Sequence, residues 1–131
     1  MSHLTDKEST AALRLAVEVG EILGIGLWSI RIMEEPCADD CHASVKVIEG
    51  RYVAEISLSK DWSSLPKEEK KLTIIHEMCH LLHFRIDHAF ESARQFMHDY
   101  EYDIVEAQYR HEMELLVDRL AMVIQGFLSK T

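Results

Sequence analysis

Proline and glycine are scarce in this chain of 131 residues, with two Pro and five Gly. That scarcity excludes a collagen-like repeat or a Pro/Gly-rich linker protein. Long apolar runs are missing too. Uncharged stretches such as Ile22 to Ile30 fall far short of the roughly 20 residues a membrane-spanning helix requires. The first eight residues, Met1 to Glu8, lack a basic segment followed by an apolar one, so no signal peptide is expected. Cysteine is sparse and odd in number: Cys37, Cys41 and Cys79 cannot build a disulfide framework. A reducing, cytoplasmic setting is the simplest expectation. Basic residues are the minority, 14 against 23 acids, for a formal net charge of -9. Such a chain repels phosphate backbones, so neither nucleic acid nor a membrane surface is an expected partner.

What remains is ordinary globular composition, 47% apolar and 28% charged. The length suits one domain spanning residues 1–131, with a core of modest size. The one unusual count is histidine, with eight. It directs attention to a metal site.

Periodicity orders the chain as helix, strands, helix, helix, an α+β domain with a small antiparallel or mixed sheet. Thr5 and Glu8 have capping-box spacing, and Ala12, Leu15, Ala16, Val19, Ile22 and Leu23 share one helical face. A helix is therefore expected over Asp6 to Leu23, stopped by Gly24. Alternation at Trp28, Ile30 and Ile32 predicts a strand, and Glu34 to His42 a polar loop. Val45 and Val47, then Tyr52, Ala54, Ile56 and Leu58, predict a hairpin joined through Glu49-Gly50-Arg51. Ser63-Ser64-Leu65-Pro66 reads as a helix start, with a Ser cap and Pro in the first turn. That helix is expected to reach at least His83 and to extend toward Phe90. Glu91 to Tyr102 shows no decisive period. A last helix is expected over Asp103 to Phe127, its apolar face formed by Met113, Leu116, Val117, Leu120 and Ile124.

Residues 76–80 read His-Glu-Met-Cys-His. Two His at i and i+4 stand one turn apart on one helix face, so their imidazoles can converge on one Zn²⁺. Glu77 lies beside them, placed to take a proton from a water that the metal activates. Leu72, Ile75, Cys79, Leu82 and Ile86 flank this stripe on one side, and Ile74, Met78 and Leu81 on the other. A helix apolar on both flanks is buried, and buried imidazoles need partners, which a metal provides.

A third ligand must come from elsewhere in the chain. His83 lies seven residues from His76, about 10.5 Å along a straight helix, so the two cannot share an ion. His83 is then either a residue beside the metal group or a hydrogen-bonded core His. Among Glu residues after His80, only Glu114 meets an acid four positions on, Asp118. The pair makes chemical sense if one of them binds the cation and the other receives a ligand imidazole N–H. Ala107 and Ala121 on that face would let the last helix approach closely. His111, one turn before Glu114, is a candidate oxyanion donor or a replacement ligand. Tyr109 is a further candidate donor, or an amphipathic core residue. Cys37-Ala38-Asp39-Asp40-Cys41-His42 lacks a second cysteine pair and reads as a loop.

His76-Glu77-Met78-Cys79-His80 followed by Glu114-Leu115-Leu116-Val117-Asp118 resembles the gluzincin pattern of zinc metallopeptidases. The short chain is similar to minimal gluzincins and to small zincin-like proteins of phages and prophages, over about residues 25 to 125. The resemblance implies a zincin-like fold and a zinc site of His76, His80 and Glu114. It implies Glu77 as general base and Asp118 orienting a ligand His. It implies a zinc-dependent hydrolase acting on peptide or protein substrates. The alternative is a non-catalytic zinc-binding structural or interaction protein, which would have no need of Glu77.

Overall fold

A computed structural model describes residues 3–48 and 50–128. Met1, Ser2, Glu49 and residues 129–131 lie outside the described residues, so the start of the leader reading and one member of the hairpin connection do too. Among the described residues there are four α-helices and a three-stranded mixed sheet, an α+β architecture.

Helix α1 (Asp6–Ile22) opens on the expected capping box. The Thr5 hydroxyl accepts from the Glu8 N–H, and a Glu8 carboxylate oxygen accepts from the Thr5 N–H at 3.0 Å. Glu8 also accepts from the Ser63 hydroxyl at 2.8 Å, so the cap doubles as a tether to the chain ahead of the second helix. Ala12, Ala16 and Val19 are buried, and Gly24 follows the helix in the left-handed region at φ 76°.

Strands β1 (Ser29–Ile32), β2 (Ala43–Ile48) and β3 (Val53–Leu58) are ordered β1-β3-β2. β2 and β3 form the expected antiparallel hairpin, with Val45 opposite Ile56. Gly50 turns it at φ 75°, a conformation that favours glycine. β1 pairs parallel to β3, so the polar loop after β1 carries the chain across to the far edge of the sheet. β3 is central, and its alternate residues Ala54, Ile56 and Leu58 are fully buried.

Helix α2 (Lys67–His80) starts differently from the sequence reading. Trp62–Ser64 is a separate 3-10 turn, Pro66 occupies the cap position, and no side chain caps the helix. Ser63 serves Glu8 instead. Ile74, Ile75, Met78 and Cys79 are buried, and α2 packs against α1, β2 and a long last helix, α4 (Asp99–Leu128).

Sequence and structure part most clearly after His80. The helix ends there rather than continuing to His83 or Phe90. Leu81, Leu82 and His83 each donate to the carbonyl three residues back, a tightened final turn, and α3 (Phe84–Ser92) then starts anew. Leu81 turns into the core, while Leu82 and Ile86 face outward at 41% and 52% exposure instead of extending the apolar flank. The stretch without a clear period resolves into the end of α3, a 3-10 turn at Ala93–Phe96, and the start of α4, four residues earlier than expected. On α4, Val117, Ala121, Ile124 and Leu128 are buried, but Leu116 is half exposed, and Ala107 faces outward. Only Ala121 of the two alanines lies at the close approach.

Candidate metal centre

The packing of α4 on α2 brings four of the sequence-selected side chains together. His76 Nε2 and His80 Nε2 lie 3.1 Å apart. The Glu114 carboxylate reaches both, at 3.3 Å from His76 Nε2 and 3.2 Å from His80 Nε2. Asp118 lies one turn further along α4, with Oδ1 2.9 Å from His76 Nδ1. Both histidines are half-buried, whereas Glu114 and Asp118 approach from the exposed side.

Ligating atoms of His76, Glu77 and His80 all fall within 4.8 Å of one another, a group able to hold a metal ion; His76, Glu114 and Asp118 form a second such set. Glu77 itself is buried at 8% exposure. Burial first, and the Glu114 carboxylate second, push its carboxyl up to about 8. A bound cation would act in the opposite direction on a carboxyl so near. Burial lowers His80 below the ordinary imidazole range, against the pull of Glu114, which favours the neutral form that ligates metals.

His83 and Asp87 were not joined by sequence reasoning. His83 is buried, with Nε2 2.9 Å from His80 Nδ1 and Nδ1 2.9 Å from Asp87 Oδ2. Asp87 in turn accepts from the Tyr109 hydroxyl, and Tyr109 stacks on Phe90 with ring centroids 4.5 Å apart. Burial, then the bond to Asp87, raises the Tyr109 hydroxyl above the ordinary phenol range. The i, i+4 spacing of His83 and Asp87 was the available signal. The straight-helix argument about His83 treated as continuous a helix that ends at His80.

The remaining candidates fall outside the cluster. His111 is exposed on α4 and lines neither adjoining cleft. Tyr109 bonds to Asp87 and lines one of the clefts beside His80 and Glu114. The Cys37–Cys41 segment is a loop, as expected: both thiols are free, and Cys37 Sγ donates to the Cys41 carbonyl at 3.2 Å. Two clefts flank this cluster. One of about 390 Å³ is lined by His80, His83, Asp87 and Glu114. The other, of about 530 Å³, is lined by His42, Ala43, His76, Glu77 and Asp118. Among the described residues no helix is long and apolar enough to cross a membrane.

No known family model, curated protein or solved structure matches this chain.

Proposed function

We propose that the protein is a zinc-dependent hydrolase, a small metallopeptidase of gluzincin type. The observation that carries this reading is the convergence of His76 Nε2 and His80 Nε2, 3.1 Å apart, on the Glu114 carboxylate, with Oε2 3.3 Å from His76 and Oε1 3.2 Å from His80. Metal–ligand bonds of 2.0–2.1 Å in tetrahedral array place neighbouring donors about 3.3 Å apart. The donor chemistry fits as well: two imidazoles and one carboxylate are a common catalytic zinc set that leaves a fourth position for water or substrate.

Zinc bound there would supply Lewis acidity, polarising a substrate carbonyl and acidifying a neighbouring water. His76, His80 and Glu114 would hold the ion, and Asp118 fixes the His76 ring by accepting its Nδ1–H. Glu77 takes a proton from the attacking water. The water oxygen bonds to the substrate carbonyl carbon, and as the C–N bond breaks Glu77 passes that proton to the leaving amine. β2 is an edge strand, and its first residue, Ala43, lines the same cleft as His76 and Glu77. A peptide adding to that edge would bring its backbone to the metal group.

The test is turnover of a peptide library by zinc-loaded protein, with Glu77→Gln as control. Cleavage lost in the variant supports the reading. A zinc-loaded protein that cleaves nothing favours the non-catalytic alternative.

A further inference from the structure

The His80 ring is held from a different side than the His76 ring, by a chain of side chains running from α2 through α3 to α4. Its directionality follows from its far end. The Asp87 carboxylate can only accept, so His83 Nδ1, 2.9 Å away, must donate to it. A neutral imidazole with its proton on Nδ1 has a bare Nε2, which accepts from His80 Nδ1–H across 2.9 Å. That leaves His80 Nε2 as a lone pair, directed at the Glu114 carboxylate and His76 Nε2. The Tyr109 hydroxyl donates to the other Asp87 oxygen and anchors the chain on α4.

The backbone supports this arrangement. In the tightened turn after His80, side chains at i and i+3 eclipse one another, which sets His83 over His80. His83 is 9% exposed, and both of its ring nitrogens are satisfied.

We propose that His83 and Asp87 are positioning residues for His80, fixing its tautomer and ring orientation so that Nε2 is presented to the metal, with Tyr109 bracing Asp87. The inference rests on the reading that His80 is a zinc ligand. His83 contacts His80 and Asp87, so the pair acts through the His80 ring. Outer partners of this kind typically govern metal affinity by 10- to 100-fold.

The experiment is a chelator-competition titration of zinc with wild type, His83→Ala, His83→Gln and Asp87→Ala, beside a ¹⁵N spectrum of the zinc-loaded wild-type imidazoles. His83→Ala is expected to lose roughly 10- to 100-fold in zinc affinity. His83→Gln should recover most of that loss, because its amide oxygen can accept from His80 Nδ1–H. Asp87→Ala should weaken affinity in the same direction. The spectrum should show His80 and His83 both protonated on Nδ1. Zinc on Nε2 by itself holds the His80 proton on Nδ1, so the distinction from a merely structural histidine rests on the glutamine rescue, which such a residue would not give.

A folded His83→Ala that binds zinc within about threefold of wild type overturns the proposal. So does a spectrum with the His83 proton on Nε2. If His83→Ala does not fold, the wild-type spectrum and the glutamine variant decide. A wild type that binds no zinc overturns the ligand reading and this inference together, whereas tight wild-type binding unchanged by His83→Ala overturns this inference alone.

Discussion

Asp118 Oδ1 lies 2.9 Å from His76 Nδ1, across the packing of α4 on α2. The carboxylate accepts the imidazole N–H, which leaves Nε2 bare and aimed at Glu114, 3.3 Å away. A surface i, i+4 acid pair such as Glu114 and Asp118 would ordinarily be mildly repulsive. Here each acid faces a different nitrogen of the same ring, so the pair is accounted for by what lies opposite it.

The three acidic and basic candidates on α4 should therefore separate in a zinc titration. Glu114→Ala is expected to weaken zinc binding most, since its carboxylate touches both histidines. Asp118→Ala should cost roughly 10- to 100-fold, typical of a residue that orients a ligand. His111→Ala should leave affinity unchanged, because the residue is exposed and lines neither cleft. Loss of metal in His111→Ala with retention in Glu114→Ala would contradict the assignment.

Glu77→Gln should retain zinc and lose hydrolysis. The amide keeps the size and shape of the buried side chain but cannot take a proton from water. General-base removal is expected to slow turnover by about 10²- to 10⁴-fold. A variant as active as wild type, after repurification excludes a contaminant, would show that Glu77 is not the base.

Much of this site was legible because it depends on short-range helical spacing. The His76–His80 pair and the Glu114–Asp118 pair are each one helical turn, and helix geometry alone places each pair on one face. Their meeting across α2 and α4 was reached by asking which acid could serve a ligand, and the packing places them together. The break after His80 was not legible. No Gly or Pro marks residues 81–84; the turn depends on Leu81 entering the core, His83 being held between His80 and Asp87, and Phe84 packing edge-on against Trp28. These are tertiary contacts, invisible to a periodicity argument. The same holds for Ser63, whose partner Glu8 lies far away in sequence. The parallel pairing of β1 with β3 also depends on where the Glu34 to His42 loop travels, which its polar composition does not reveal.

Chelation should lower the melting temperature. Without metal, two imidazoles and two carboxylates converge with no cation among them. Zinc at about 100 times its Kd contributes about 2.7 kcal/mol to folding, which corresponds to a shift of several degrees. Superimposable melting curves with and without chelator would contradict a site that binds in the folded state.

Glu8 should make stability depend on acid. Hydrogen bonds from the Thr5 N–H and the Ser63 hydroxyl, then Lys70 nearby, hold its carboxyl below the ordinary carboxylate range. A group depressed in the folded state stabilises above its unfolded pKa, and that contribution is lost as pH falls through the folded value. Glu8→Ala should therefore lower stability by about 1 kcal/mol near neutral pH. The gap between variant and wild type should close at acid pH. Melting curves at several pH values check this; a gap independent of pH would contradict it.

The most direct measurement is zinc stoichiometry after reconstitution and removal of excess metal, for wild type beside His80→Ala. One zinc per wild-type chain and a large loss in the variant is the expected result. Wild-type protein that is folded and holds no zinc would contradict the metal centre, and with it the hydrolase built upon it.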